Sequence, residues 1–302
     1  MMTTESLLTI RDFIRWGTSR FNEAGLFFGH GTDNALDEAV TLVLHALHLD
    51  RDLPPLYLDA RLTMDEREVV SSLIQRRVDE RVPAAYLTNE AWFSGAPFYV
   101  DERVLVPRSP IAELLEVGFQ PWIDEEKLHR VLDLCTGSGC IGIAAALHSP
   151  WIEVDLVDIS QDALQVANKN IKKHQLIDQV RAIHSDLFSA LQGERYDIIV
   201  SNPPYVNLDE MNGLADEYQA EPRLGLVAEE HGLLIVNKIL SEAAQHLNPH
   251  GVLIIEVGSS AEAVLKRYPT TPFVWLDFER GGDGVFLLTA EQLVEFNEQS
   301  KR

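Results

Sequence analysis

Asp133-Leu134-Cys135-Thr136-Gly137-Ser138-Gly139-Cys140-Ile141-Gly142 is the stretch whose reading decides the fold. The apolar run Val131-Leu132-Asp133-Leu134 reads as a buried strand, and Ile141 to Leu147 reads as a helix. Between them, glycines 137, 139 and 142 make a G-x-G-x-x-G, a loop in which backbone approaches a nucleotide closely. Alone the motif is weak. It first suggests a dinucleotide whose pyrophosphate lies at the amino end of the helix. Asp133 argues otherwise, because a carboxylate just before the loop repels a pyrophosphate. It suits a ligand end that carries an ammonium or sulfonium cation.

Outward from the loop, strand and helix alternate. Val154 to Asp158 is a second strand, and Ser160 caps a helix from Ala163 to His174. Val180 to Ile183 is a third strand and Tyr196 to Val200 a fourth. A helix from Leu233 to Leu247 precedes a fifth, Val252 to Val257. Phe273 to Phe278 and Gly284 to Thr289, joined by a Gly281-Gly282 turn, read as a final antiparallel pair. This predicts an α/β, Rossmann-like domain with a mostly parallel seven-stranded sheet covered by helices on both faces. Ligands on such sheets bind at the carboxyl ends of the strands, where strand order reverses.

Two more acids stand at such ends. Asp158 lies nineteen residues beyond Gly139, where a carboxylate binds ribose hydroxyls. A nicotinamide cofactor would use it in the same way. Asp186 follows the third strand in Ser185-Asp186-Leu187-Phe188, where Leu187 can bracket an adenine and the acid can bond its edge. S-adenosylmethionine has the cation, the ribose and the adenine, and carries no phosphate. Its expected binding residues are Asp133, Cys135, Thr136, Gly137, Ser138, Gly139, Asp158, Asp186, Leu187 and Asn202.

Ser201-Asn202-Pro203-Pro204-Tyr205 follows the fourth strand. Prolines lack an N–H and stiffen the backbone, so their carbonyls are fixed in direction. Asn202 both accepts and donates, and Tyr205 offers a flat face with a polar tip. Asn202, Pro203, Pro204 and Tyr205 can grip a planar –NH2 group. The Asn202 side-chain carbonyl and the Pro203 backbone carbonyl would take its hydrogens, and Tyr205 would stack on its plane.

Residues 1–84 look helical from about Thr4. Leu7, Leu8, Ile10, Phe13, Ile14 and Trp16 recur at helical spacing. Gly29-His30-Gly31 breaks the pattern, and Asp33 or Asn34 caps a helix whose apolar face takes in Leu36, Ala39, Val40, Val43, Leu44 and Leu47. Thr63 to Glu66 is a capping box that opens a third helix. This helical domain has no catalytic signature and is read as choosing a macromolecular substrate. His45 and His48 share a helical face without a third ligand, so no metal site is expected. Trp92 to Gly95 and Phe98 to Val100 read as a hairpin within a linker, residues 85–110. Arg108, in Pro107-Arg108-Ser109-Pro110, reads equally as a site residue or a linker residue. Residues 111–302 make the third region.

The chain has 302 residues, 46% of them apolar, and a formal charge of −22. That charge opposes non-specific binding to a phosphate backbone and favours a basic partner. After Tyr205 come Asp209, Glu210, Asp216, Glu217, Glu221, Glu229 and Glu230 against the single base Arg223, an expected acidic lip beside the site. The only cysteines, Cys135 and Cys140, sit inside the glycine loop and suggest no structural staple. No secretory signal pattern and no run long enough to span a membrane are seen, so a cytoplasmic protein is expected.

Taken together, these motifs resemble the class I S-adenosylmethionine-dependent methyltransferases that modify –NH2 groups. Asn202 to Tyr205 alone is shared with adenine-specific DNA methyltransferases. The whole order is similar to the bacterial protein-glutamine methyltransferases: an amino-terminal helical domain, a hairpin, Pro107-Arg108, the glycine loop, Asn202 to Tyr205, and Glu221-Pro222. One branch of that family acts on peptide-chain release factors and usually continues Pro-Arg with Pro-Asp-Thr-Glu. Here Ser109-Pro110-Ile111-Ala112-Glu113 follows. That segment, with Phe28 to Ala35, resembles the branch acting on the third protein of the large ribosomal subunit. The resemblance implies methyl transfer to a glutamine of that basic protein, and not to DNA. The alternatives are a release-factor glutamine methyltransferase, an adenine methyltransferase, a non-catalytic ribosome-assembly factor and a nicotinamide-dependent oxidoreductase.

Overall fold

The structure, a computed structural model, describes residues 6–211, 213–227 and 232–299. The chain divides into two compact units, Met1–Ala91 with Ala215–Ala220, and Trp92–Leu214 with Glu221–Arg302.

The first unit is helical. Helix α1 (Ile10–Glu23) begins where Thr9 and Asp12 exchange side-chain and backbone hydrogen bonds. The expected helical start near Thr4 lies outside the described residues; among those described, Thr9 is extended and α1 begins at Ile10. Asn34 caps α2 (Ala35–Ala46), and Thr63 with Glu66 forms the capping box of α3 (Met64–Glu80). Pro83 precedes the short α4 (Ala84–Thr88). Gly17 lets α1 lie close to the other helices, because a Cβ there would stand 3.1 Å from Ile74 and 3.3 Å from Ala39. Phe13, Phe21, Leu42, Val43 and Ile74 fill the core. Leu36, expected on the buried face of α2, is 51% exposed. The helix turns Ala35, Ala39, Leu42 and Val43 inward, and Leu36 falls outside that arc.

A buried ion cluster ties this unit together. Arg77 donates from Nε to Glu38 Oε1 at 2.7 Å, from Nη1 to Glu217 Oε1 at 3.3 Å, and from Nη2 to the Phe27 carbonyl at 3.0 Å. All three charged side chains are almost wholly buried. Burial pushes the Glu38 carboxyl up, opposed by Arg77.

The second unit opens with a hairpin, β1 (Ala91–Phe93) and β2 (Ala96–Phe98). Ser94 and Gly95 both have positive φ, so they form the turn and not strand. The hairpin is not a free linker: Phe93 and Phe98 lie in the core of this unit with Ile111 and Leu115. Helix α5 (Ala112–Glu116) follows. Next come β3 (Arg130–Leu134), α6 (Cys140–His148), β4 (Glu153–Asp158), α7 (Gln161–Lys173), β5 (Val180–His184) and β6 (Tyr196–Ser201). Two short helices, α8 (Leu208–Met211) and α9 (Arg223–Leu226), precede α10 (Leu234–His246) and β7 (Leu247–Glu256). The chain then runs through α11 (Ala261–Arg267), β8 (Val274–Leu276), β9 (Val285–Thr289) and α12 (Ala290–Gln299).

One seven-stranded sheet results, in the order β5-β4-β3-β6-β7-β9-β8. The first five are parallel, and β9 is antiparallel to both β7 and β8. Strand residues alternate between two cores, as in a sheet covered on both faces. Val131, Leu156, Ile198 and Ile254 face one core, and Leu132, Val157, Ile199 and Ile255 the other. Order reverses between β3 and β6, whose partners Leu134 and Ser201 end the shared ladder. The glycine loop and the Asn202–Tyr205 segment thus leave adjacent strands side by side.

Arg77→Met should destabilise the helical unit by about 3–5 kcal/mol in urea unfolding, because it leaves Glu38 buried without its cation and Glu217 with only the 3.4 Å contact to Arg81. A cost below about 1 kcal/mol would mean that the carboxylates find other partners.

Candidate active site

Asp133 lies beneath the glycine loop and is 1% exposed. Its Oδ2 accepts from Thr136 Oγ1 at 2.6 Å and from the Gly142 amide at 2.9 Å. Oδ1 is buried without a hydrogen-bond partner. Burial pushes this carboxyl up to about 7, against the pull of Thr136 and Gly142 and with a smaller push from Asp158. Half of its hydrogen-bonding capacity is spent on shaping the loop and half is unspent, at a cost that a nearby cation would relieve.

Two glycines make the loop possible. Gly139 has φ +81, and a Cβ there would lie 3.0 Å from both Ile143 and Leu156. A Cβ on Gly142 would stand 2.3 Å from Leu156, so its absence seats α6 against β4. Asp158, at the end of β4, accepts from the Gly137 amide at 2.9 Å and from the Ser160 amide at 2.8 Å. Burial raises its carboxyl as well. Asp186 is exposed beyond β5, with Lys238 at 3.9 Å, and Leu187 beside it is buried with φ +47.

The three acids share one neighbour. The Cys135 thiol is held well above its ordinary range by burial first, then by Asp158, with Asp133 and Asp186 adding smaller pushes. Burial also pushes Cys140 up to about 12. Both cysteines are therefore thiols at neutral pH, without the thiolate character of a nucleophile or base. A buried acid with an unpartnered oxygen and a loop stripped of Cβ atoms fit the cationic end of S-adenosylmethionine. Asp158 and Asp186 fit its ribose and adenine.

Across the switch point, Ser201 Oγ donates to the Leu134 carbonyl at 2.8 Å and closes β6 onto β3. Asn202 is half-buried, Pro203 is buried, and Pro204 and Tyr205 are half-buried. The Tyr205 ring lies over Gly258, where a Cβ would be 2.6 Å from it. Its carbonyl accepts from Ser260 Oγ at 2.8 Å. Gly232 passes so close that a Cβ there would be 2.1 Å from the same oxygen.

Sequence reasoning missed Glu256, the last residue of β7. It is 6% exposed and accepts from Ser109 Oγ at 2.5 Å and from the Tyr205 hydroxyl at 3.2 Å. An acid ending an apolar strand was the available signal, since ligands gather at such ends. Arg108 resolves as a strut. Its Nη1 and Nη2 grip Glu221 at 2.6 and 2.7 Å, and Glu221 also accepts from the Val106 amide at 3.0 Å.

The acidic lip needs correction. Glu221 is buried on Arg108, and Glu217 is buried with Arg77 in the helical unit, so neither offers charge to solvent. Glu210 and Asp216 are exposed. Glu229 and Glu230 lie outside the described residues, and of the Asp209 side chain nothing is described. Among the described residues, no group of three or more His, Cys, Asp and Glu is placed to hold a metal ion, and His45 and His48 are exposed.

Residues 119–218 match the Methyltransferase small domain family, and residues 12–88 match the PrmC N-terminal domain. The ribosomal protein uL3 glutamine methyltransferase of Xanthomonas campestris pv. campestris is 56% identical over 96% of this chain and 94% of its own length. The protein of that name from Neisseria gonorrhoeae is 53% identical over 96% of this chain and 97% of its own. Among solved structures, the catalytic domain of hMettl16 in complex with MAT2A 3'UTR hairpin 6 shares the fold, with TM-score 0.51 and 16% identity. It covers 76% of this chain and 82% of that one.

Because the folded Asp133 carboxyl is raised from its ordinary value near 3.8 to about 7, the free fold keeps a proton that the unfolded chain has released. Stability of the free protein should therefore fall as pH rises from about 4 to about 7. Affinity for S-adenosylmethionine should fall as pH drops below about 7. Calorimetric titration across pH 6–8 reads this, and Asp133→Asn should flatten the profile while raising the melting temperature at pH 8. Asp158→Ala should weaken binding of the same ligand by roughly 1.5–3 kcal/mol, the worth of hydrogen bonds to a charged group.

Proposed function

The chain belongs to the ribosomal protein uL3 glutamine methyltransferase family, and we propose that S-adenosylmethionine is its donor and a glutamine side chain of uL3 its acceptor. The observation that carries this reading is the placement of Asn202–Tyr205 beside the glycine loop, on adjacent strands at the switch point.

The donor supplies an electrophilic methyl group on a positively charged sulfur. Asp133 and the loop would hold its amino-acid end, Asp158 the ribose, and Asp186 with Leu187 the adenine. Cys135, Thr136, Gly137, Ser138 and Gly139 line its path, and the glycines allow backbone to approach.

A carboxamide nitrogen is a poor nucleophile because its lone pair is delocalised. Neither thiol of the loop is a base, so positioning and electrostatics carry the rate. The Asn202 Oδ1 and Pro203 carbonyl oxygens accept the two amide hydrogens and favour the pyramidal nitrogen. Positive charge growing on that nitrogen is stabilised by the same oxygens. Pro204 stiffens the turn, and Tyr205 walls the amide plane. The proton leaves late, to water. The substrate's basic character complements a chain of charge −22, although the acids near the site are fewer than the sequence suggested. Among the described residues no helix is long and apolar enough to cross a membrane, and a ribosomal-protein substrate fits action in the cytoplasm.

Incubation with methyl-labelled S-adenosylmethionine should place label on one glutamine of unmethylated uL3, located by mass spectrometry. Label confined to release factor or to RNA would overturn the assignment. Asn202→Ala should lower turnover by about 10²–10³-fold while donor affinity stays within a few-fold.

A further inference from the structure

We propose that the groove between α5 and the connection from β8 to β9 docks an arginine or lysine side chain of the protein substrate, a few residues along its chain from the glutamine that enters the site. The inference rests on the methyltransferase reading and deepens it: it says what recognises the substrate beyond the amide.

Sheet order places the groove. β8 is the last strand and is antiparallel to β9, and β9 is antiparallel to β7. Leu276 therefore lies in one row with Val285 and Glu256. The connection, residues 277–284, leaves the sheet at the end where the glycine loop and the Asn202–Tyr205 segment leave it. At a strand spacing of about 4.8 Å, Leu276 is about 10 Å from Glu256. Close packing fills the interval. A Cβ on Gly282 would stand 2.7 Å from Pro110, and one on Gly284 would stand 2.4 Å from the Gly258 carbonyl oxygen. The Tyr205 ring lies over Gly258. An extended chain rises about 3.3 Å per residue, so a cation about three to five residues from the glutamine spans from Tyr205 to the groove.

The groove has a volume of about 650 Å³. Its apolar wall includes Trp122, Trp275, Leu276 and Phe278, all half-buried. Glu113, Glu116, Asp277 and Glu279 line it against the single base Arg280. Arg280 shows what the α5 wall accepts: its Nη2 donates to Glu116 at 2.7 Å, and its Nε stands 3.5 Å from Glu113. Glu113 also takes the Glu279 and Arg280 amides at 2.9 and 2.8 Å, which fixes the connection against α5. Asp277 and Glu279 are exposed, and neither has an ion partner among the described residues. Aromatic walls with carboxylates at the rim fit a long side chain whose methylenes lie on the rings while its charged head stays at the edge. An anion is repelled there, and a neutral apolar ligand leaves the two acids without a partner. A basic protein supplies the side chain that satisfies both halves.

Asp277→Lys with Glu279→Lys, made in the full-length enzyme, should keep the melting temperature within a few degrees. Donor Kd and kcat at saturating uL3 should stay within twofold. KM for uL3 should rise at least about tenfold, because two attractions become repulsions. Glu153→Lys with Asp178→Lys makes the same charge change at exposed positions near the amino ends of β4 and β5. That control should leave KM within twofold. Replacing the basic residues nearest the labelled glutamine of uL3 by alanine should raise KM for the wild-type enzyme and change little for the Asp277/Glu279 variant. An unchanged KM in that variant overturns the proposal, and so does an equal rise in the control, which marks bulk charge alone. A wild-type dimer in sedimentation that the variant dissociates overturns it as well, because a second copy then fills the groove. If the wild type leaves uL3 unmodified, the function assignment fails on its own, and a tri-arginine peptide then reads the groove. Shifts of the Trp122 and Trp275 indole N–H resonances in a 15N-labelled full chain, lost in the Asp277/Glu279 variant, support docking, and their absence ends it.

Discussion

Gly142 has no Cβ, and the ligand crevice is built on that missing atom. With one, helix α6 would be pushed off Leu156 and Val154. Its amide would then no longer lie 2.9 Å from Asp133 Oδ2, and the carboxylate would lose the contact that folds the loop back over it. The contact has a cost. Asp133 is sealed from water with one oxygen unpartnered, and its carboxyl rises to about 7. Burial of an incompletely satisfied acid is poor economy for a scaffold and good preparation for a cation, because the binding partner supplies what the fold withholds.

The crevice has a second wall of different construction. Around the glycine loop, backbone amides point at carboxylates and shape the chain. Beside the Asn202–Tyr205 segment, side-chain hydrogen bonds from Ser109 and Tyr205 converge on Glu256. The two walls meet at the register pair Leu134–Ser201, where the Ser201 hydroxyl bonds the Leu134 carbonyl. A hydrogen bond between strand ends thus sets the spacing of the glycine loop and the Asn202–Tyr205 segment, the donor and acceptor sites of the proposed reaction. Methyl transfer in line needs that spacing held to a fraction of an ångström. Rigid parallel strands hold it better than the loops alone.

The sheet, its order of elements and the two site motifs were legible because they rest on local signals. Strand ends were readable from apolar runs, caps from Thr63, Ser160 and the Asp33-Asn34 pair of which Asn34 serves, and the loop from its glycines. What failed depended on partners far along the chain. Glu221 looks like a surface acid until Arg108, 113 residues away in sequence, is seen gripping it. Glu217 looks the same until Arg77 is found 140 residues away. Leu36 was misplaced by a helical register that one apolar residue cannot fix. Glu256 was passed over because an acid inside an apolar run reads as an interruption of the strand. Its partners are Ser109 and Tyr205, which no spacing rule connects to it.

These buried acids bear on how the charge of −22 should be understood. Glu38, Glu217, Glu221, Asp133, Asp155, Asp197 and Glu256 are all buried, and most are held by arginines or by backbone amides. They contribute to the formal count without acting as surface charge. An ion pair sealed from solvent is also insensitive to salt, whereas attraction between exposed charges is screened within about 10 Å at ordinary ionic strength. The acidic surplus exposed to solvent is therefore smaller than the sequence total.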